Sequence, residues 1–69
     1  MKIAENIKYY RKILRLTQKE LAALIYSHGN RIANYENKTR TPDIFTLCKL
    51  AKIFDVTLDE LVEYDDGEE

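Results

Sequence analysis

Residues 17–37 have the sequence TQKELAALIYSHGNRIANYEN, and this stretch decides the fold. Thr17 and Glu20 have the spacing of a capping box. In this motif the Thr17 hydroxyl accepts a hydrogen bond from the Glu20 backbone amide, and the Glu20 carboxylate accepts one from the Thr17 backbone amide. The apolar pattern breaks at residues 26–29 and resumes with helical spacing over residues 29–37. The sequence therefore predicts two helices joined by a tight turn.

The second of these two helices has an unusual outer face. At 100° per residue, Ile32, Tyr35 and Glu36 point to one side. The opposite side carries three amides, those of Asn30, Asn34 and Asn37. A helix fits the DNA major groove and asparagine can pair with the N6 and N7 edge of adenine, so this face suits base readout. A solvated polar surface is the alternative interpretation.

Apolar residues outside this stretch also recur at intervals of three and four, so we predict an all-α fold with five helices. The first helix spans about residues 2–15, the fourth ends near Phe54, and a second capping box at residues 57–60 starts the fifth. The candidate N-caps of the third and fourth helices are Ser27, His28, Thr41 and Asp43. The predicted core residues are Ile3, Ile7, Tyr10, Leu14, Leu21, Ala22, Ile25, Ile32, Tyr35, Ile44, Leu47, Leu50, Ala51, Phe54, Leu58 and Leu61.

Charge is divided unevenly along the chain. The net charge is −1, but residues 1–52 carry +7 and residues 53–69 carry −8 without a single base. A basic segment followed by an acidic one is compatible with a polyanionic partner such as nucleic acid. The alternative is an ordinary helical surface with a solvated tail. We expect one domain over residues 1–63 and an acidic flexible tail over residues 64–69.

The composition argues against an enzyme or a metal protein. A chain of 69 residues forms one small domain, and its single histidine, His28, and single cysteine, Cys48, fall on different predicted elements. We therefore expect no catalytic site, no cofactor and no metal, with Cys48 as a small core residue on the flank of the fourth helix. No apolar stretch approaches a membrane span or a signal peptide, so we expect a soluble cytoplasmic chain without a membrane partner.

Three segments carry a resemblance to a known family. They are LTQKELA at residues 16–22, YEN at residues 35–37 and VTLDEL at residues 56–61. In combination they resemble the Cro/C1-type helix-turn-helix domain of phage and bacterial repressors, also called the xenobiotic-response-element family, over about residues 3–62. The resemblance implies a five-helix, lambda-repressor-like DNA-binding domain whose second and third helices form the helix-turn-helix. It also implies a homodimer bound to an operator.

The resemblance also implies roles for single residues. Candidate base contacts are Gly29, Asn30, Arg31 and Asn34. Gln18 matches a phosphate-contacting glutamine of the family. The turn before the third helix and the basic loop after it contain further candidate phosphate contacts, which are His28, Asn37, Lys38, Thr39 and Arg40. Arg11 and Glu36 match an internal ion pair between the first and third helices, which we expect to be structural.

Several positions depart from the family pattern, among them Ser27 and His28 at the usual apolar turn residue and Ser/Thr cap. The turn glycine of the family falls at Tyr26, where a positive φ costs a bulky side chain about 1 kcal/mol or more. We therefore expect a reshaped turn, with Gly29 taking over part of the glycine's role. Off the core stripes lie four large apolar residues, Tyr9, Ile13, Phe45 and Ile53. We expect one such set, with Phe45 and Ile53 the candidates, to form a dimer contact, and scattered surface residues are the alternative.

These features predict a sequence-specific transcriptional regulator, a repressor that binds a palindromic double-stranded DNA operator as a homodimer with the third helix in the major groove. No small-molecule effector is evident from the sequence. The alternative is a protein-interaction module on the same fold, antitoxin-like or regulator-binding, without specific DNA binding. Gln18, Asn34 and the basic loop at residues 38–40 favour the DNA reader, because only it needs all three.

Overall fold

The computed structural model describes residues 1–63, and within them the only regular structure is helical, as predicted. The predicted tail at residues 64–69 lies outside this described part. None of the described helices has the length and apolar character to cross a bilayer. The five helices are α1 (Ile3–Ile13), α2 (Gln18–Leu24), α3 (Gly29–Glu36), α4 (Ile44–Phe54) and α5 (Leu58–Val62).

Side-chain caps fix the starts of three helices. The two predicted capping boxes are confirmed at α2 and α5, where Thr17 and Thr57 each accept a 3.0 Å bond from the backbone amide three residues on. Of the two candidates for α4, Asp43 is the cap, because its carboxylate accepts from the Thr46 backbone amide at 2.8 Å. His28 occupies the N-cap position of α3 without a side-chain cap bond to the described residues.

Every helix end carries a left-handed residue that is not glycine. These residues are Arg15, Tyr26, Lys38, Asp55 and Glu63, with φ between 46° and 70°. At α2 the Ser27 amide donates to the Ala22 carbonyl at 2.8 Å and the Tyr26 amide to the Ala23 carbonyl at 3.1 Å. This pair of bonds is the Schellman motif, which satisfies the last carbonyls of a helix and requires a left-handed residue.

The expectation of a reshaped turn between α2 and α3 is therefore wrong. Tyr26 itself adopts φ 58° and takes the position that glycine usually occupies. Gly29 has a different role, as the first residue of α3: a Cβ placed on it would lie 3.2 Å from the Cα of Lys19. Gly29 thus allows the start of α3 to approach the backbone of α2.

Tyr26 makes the turn a site for stabilisation. Its side chain is 93% exposed, so removing it forfeits little burial. Tyr26→Gly should raise the free energy of unfolding by about 0.5–1 kcal/mol, because relief of the left-handed strain exceeds the added entropy of the unfolded chain. Thermal or urea unfolding measures the change, with Tyr26→Ala as the matched control that keeps a Cβ at this φ. A glycine variant less stable than the alanine variant would contradict the strain.

The core receives one fully buried large side chain from each helix, Ile7, Leu21, Ile32, Leu50 and Leu61. The helical stripes predict these five correctly, but three other core assignments are wrong. Leu14 is 45% exposed because it follows the last residue of α1, Ile44 is exposed at the first position of α4, and Cys48 is exposed on the outer flank of α4. Ile53, expected off the core, is half-buried and packs against it.

The two ends of the described chain are fastened together. The buried Asn6 amide donates to the Leu61 carbonyl at 2.8 Å and to that of Glu60 at 3.3 Å, and the Lys2 backbone amide donates to the Val62 carbonyl at 2.9 Å. These bonds satisfy carbonyls that the short α5 leaves free. They hold the amino-terminal turn of α1 in a fixed place against α5.

Candidate nucleic-acid interface

The outer face of α3 is polar and accessible. Asn30 is exposed, and Arg31 and Asn34 are half-buried on the same helix. The opposite face anchors the helix, because Ile32 is fully buried and Tyr35 is 4% exposed. A rigidly packed helix that presents amide and guanidinium groups has the form needed to read base edges in a major groove.

A hydrogen-bond network fixes the carboxyl end of this face. The Thr39 hydroxyl lies 2.7 Å from Oδ1 of Asn37 and 3.1 Å from Oδ1 of Asn34, and it has one proton to share between them. The Thr39 backbone amide also donates to Oδ1 of Asn37 at 3.1 Å, which closes an Asx turn. Asn37 therefore shapes the loop, and Thr39 helps to hold the Asn34 side chain at the end of α3.

Arg11 and Glu36 form a two-pronged ion pair between α1 and α3. Nε of Arg11 lies 2.7 Å from Oε2 of Glu36 and its Nη2 lies 3.1 Å from Oε1, while Nη1 donates to the Leu16 carbonyl at 2.8 Å. The side chains are only 11% and 6% exposed. Gln18 joins the pair, because its Nε2 donates to Oε1 of Glu36 at 3.1 Å. Gln18, the candidate phosphate-contacting residue at the start of α2, is thus oriented by the Glu36 carboxylate.

The loop after α3 places positive charge beside the amide face. Lys38 and Arg40 are both exposed, but Nζ of Lys38 lies 2.9 Å from a carboxylate oxygen of Glu5 on α1. This exposed pair is screened by solvent and contributes little to stability. Arg40 forms no ion pair within residues 1–63, and its guanidinium is open to a phosphate.

Two carboxylates beside this surface are held in the ionised form. The hydrogen bond from Lys38 lowers the pKa of Glu5, and the bond from the Thr46 backbone amide lowers the pKa of Asp43, with Arg31 adding a smaller attraction. Because both pKa values are lowered by folding, each carboxylate stabilises the fold above its ordinary pKa, and that contribution is lost as the pH falls through the lowered value.

The predicted site residues gather on one surface made of α3, the following loop and the start of α2. Gly29 and His28 lie at the amino end of α3, where Gly29 is half-buried against Lys19 and the His28 side chain is exposed. Phe45 and Ile53 lie apart from this surface on α4. Within residues 1–63, no group of three or more histidine, cysteine or acidic side chains is placed to hold a metal ion.

Three contacts in this surface could not be predicted from the sequence. The bond from Gln18 to Glu36 joins residues of different helices, so no local sequence pattern predicts it. The bonds that Thr39 makes to Asn34 and Asn37 depend on a left-handed Lys38, which turns the chain back over the end of α3. An Asn two residues before a Thr was the one available signal, since Asn side chains often bond the backbone two residues on.

The packing of α2 and α3 around a short turn, with an exposed amide face on α3, defines a helix-turn-helix domain. A family model described as Helix-turn-helix matches residues 7–61. The chain belongs to the Cro/C1-type helix-turn-helix family.

Several known proteins are similar to the chain along most of its length. The HTH-type transcriptional regulator ImmR of Bacillus subtilis (strain 168) is 35% identical over 66 residues, which are 96% of this chain and 52% of ImmR. The control protein C.SmaI of Serratia marcescens is 35% identical over 60 residues, 87% of this chain and 71% of that protein. The crystal structure of a transcriptional regulator from Listeria innocua superposes with a TM-score of 0.86 at 32% identity and covers 94% of this chain and 61% of that one. The chain therefore spans about half the length of ImmR.

Proposed function

We propose that this protein is a sequence-specific DNA-binding transcriptional regulator, a repressor that acts in the cytoplasm on a palindromic operator. In this proposal it binds as a homodimer, with α3 of each subunit in the major groove. Two similar proteins support the class, since ImmR and the Listeria innocua protein both carry the name of transcriptional regulator. The domain responsible is residues 1–63, and the acidic residues 64–69 are a tail without a part in base readout.

The accessible amide face of α3 is the observation that carries the proposal. Asn30 and Asn34 present the groups that pair with adenine, and Arg31 lies beside them to reach guanine or a phosphate. Gln18 and Arg40 flank this face and supply contacts to the sugar-phosphate backbone, with Lys38 and Thr39 on the same loop. Base contacts and phosphate contacts are thus available on one continuous surface.

Selection of binding sites from random duplex DNA tests the proposal, followed by a salt titration of the recovered site against a scrambled one. We expect a palindrome with adenine in each half-site and half-sites about 10 base pairs apart, since two recognition helices related by a two-fold axis meet successive major grooves. Affinity for the selected site should exceed that for scrambled DNA by about 10³-fold or more. If folded protein enriches no sequence, the alternative of a protein-interaction module on the same fold takes its place.

The exposed apolar residues of α4 supply the surface for the proposed homodimer. Phe45 is 76% exposed, and Ile44 and Cys48 lie beside it, also exposed. An apolar strip on a helix face is the feature that a two-fold contact buries. Ile53 is less suited to the contact because its side chain is already partly buried against the core.

Phe45→Glu should convert the dimer to a folded monomer, because the charge would have to be buried at the two-fold contact. Sedimentation equilibrium measures the mass, and circular dichroism shows that the helices remain. Tyr9→Glu is the matched control, since Tyr9 is a comparably exposed aromatic residue on α1. Loss of the dimer in the Tyr9 variant alone would move the contact to α1, and an unchanged mass in both variants would remove these surfaces from the dimer.

A further inference from the structure

A cavity of about 350 Å³ opens between the amino-terminal turn of α1 and the loop that follows α3. Ile3, Pro42 and the ring of Tyr35 give it apolar walls. Lys38 and Arg40 line it on the loop side. The cavity has the volume of a small-molecule site and the mixture of apolar walls and a few polar groups that such sites have. Two of the proposed phosphate contacts, Lys38 and Arg40, line this cavity, whereas none of the proposed base contacts does.

The Tyr35 hydroxyl is a polar group without a partner at this cavity. Tyr35 is 4% exposed, and its hydroxyl makes no hydrogen bond to residues 1–63. No side-chain nitrogen or oxygen that is fully enclosed within the described part of the chain lacks a partner. The hydroxyl therefore touches open space, and the cavity is the space that Tyr35 lines. An accessible hydroxyl on an otherwise buried side chain can donate to a ligand in this position.

One carboxylate, that of Glu5, lines the cavity and is paired with Lys38, and most of the other polar groups around it are donors or cations. Lys2, the N-cap of α1, makes no side-chain cap bond, so the first backbone amides of this 11-residue helix, at Ile3 and Ala4, lack a side-chain acceptor among the described residues. Both residues line the cavity, as does Arg40, whose guanidinium has no ion pair within residues 1–63. Backbone amides at a helix start and a guanidinium both favour an anion.

We propose that this cavity binds a small organic anion, a carboxylate or phosphate group on a compact apolar body. The anionic group lies against Arg40 and the first amides of α1. The apolar body fills the space between Ile3, Pro42 and the Tyr35 ring, whose hydroxyl donates to the ligand. Lys38 remains paired with Glu5 at the edge of the cavity, which leaves Arg40 as the cation available to the ligand.

The site also offers a means of control over the proposed DNA binding. Arg40 serves both the cavity and the proposed phosphate contacts, so an anion in the cavity and a DNA phosphate compete for the same guanidinium. Ligand binding therefore lowers operator affinity, and by reciprocity the operator lowers ligand affinity. This step rests on the proposed function, whereas occupation of the cavity does not.

Binding is tested without DNA, by NMR titration of the ¹⁵N-labelled chain. The probes are benzoate and phenyl phosphate, with benzyl alcohol and inorganic phosphate as controls that lack the charge or the apolar body. We expect one or both organic anions to shift the amide signals of Ile3, Ala4 and Arg40 with a Kd of about 1 mM, and the Lys52 amide on α4 to stay unmoved. The stronger probe identifies the preferred anionic group.

Tyr35→Phe distinguishes a specific binding site, which uses the Tyr35 hydroxyl, from nonspecific attraction of anions to a charged surface. It keeps the ring in the core and removes only the hydroxyl, so it should fold and should weaken the anion by about tenfold. Unchanged anion affinity in this variant would overturn the proposal. So would equal shifts from inorganic phosphate or from benzyl alcohol, or the absence of shifts with either organic anion up to about 20 times the expected Kd.

The regulatory step has a separate readout on a selected operator. At about ten times its Kd, the anion should lower operator affinity at least twofold relative to sodium chloride of equal ionic strength. Tyr35→Phe should bind the operator normally and lose this sensitivity. Cavity binding without an effect on the operator would overturn the regulatory step alone. A protein that binds no operator but still binds the anion would overturn the proposed function and leave the cavity site standing.

Discussion

Arg11→Met should lower the free energy of unfolding by about 3–5 kcal/mol, because it leaves the carboxylate of Glu36 buried without its cation. Glu36 is 6% exposed on its side chain and would keep only the bond from Gln18. The variant also removes the donor to the Leu16 carbonyl, which closes the turn after α1. A small domain has little stability in reserve, so we expect a partly unfolded chain at 37 °C. Urea unfolding followed by circular dichroism measures the loss.

Two matched variants test whether the cost comes from the unpaired charge. Lys12→Met changes an exposed residue of the same helix and should alter stability by less than about 0.5 kcal/mol. The double variant Arg11→Met with Glu36→Leu removes both charges and should recover most of the loss, because apolar residues often replace a buried pair at little cost. A double variant as unstable as Arg11→Met would locate the effect in lost packing or in the Leu16 contact.

The centre of the core can be predicted from helical periodicity, because a side chain in the middle of a stripe faces the interior whichever helix packs against it. Ile7, Leu21 and Leu50 are of this kind and are fully buried. The edges of a stripe are different, since their burial depends on the neighbouring helix. Leu14 continues the stripe of α1 by spacing, but the helix has ended before it.

Cys48 and Ile53 show why the flanks of a helix cannot be assigned from the sequence. On a helical wheel each lies about 110° from the centre of the α4 core stripe, on opposite sides. Ile53 shares a surface groove with Leu24 and Tyr26 from the end of α2, whereas Cys48 is exposed. The sequence pattern of α4 predicts the same burial for both flanks, but α2 packs beside only one of them, so Ile53 is partly buried and Cys48 is exposed.

Most features of the site that could not be predicted from the sequence lie at the ends of α2 and α3. Glycine at a helix end is a readable signal, and this chain uses Tyr26 and Lys38 in the left-handed conformation instead. No glycine therefore marks the conformation of the turn before α3, whose existence follows only from the break in the apolar pattern, and only Asn37 indicates the fold-back after α3. The amide face of α3 could be predicted from spacing alone, but the bond that Thr39 makes to Asn34 follows from the fold-back.

Asn34→Ala should weaken binding to the selected operator by about 1–3 kcal/mol, or roughly 5- to 150-fold, and relax the preference at one base pair of each half-site. The reason is that the alanine removes a bidentate partner for adenine, while the buried face of α3 is untouched. Affinity for scrambled DNA should change little. Fluorescence anisotropy on the selected site, on single-base variants of it and on scrambled DNA gives the specificity ratio for each protein.

Asn34 also accepts a bond from Thr39, so a disordered loop would be a second way to lose affinity. Thr39→Ala removes that bond and keeps the amide, and Arg40→Ala removes a phosphate contact. Since neither change deletes a base contact, both should weaken selected and scrambled DNA by similar factors, and Arg40→Ala should also reduce the dependence on salt. A specificity ratio that falls in Asn34→Ala and holds in the other two variants identifies Asn34 as a base-reading residue. A ratio that holds in all three would leave it as a residue that shapes the loop.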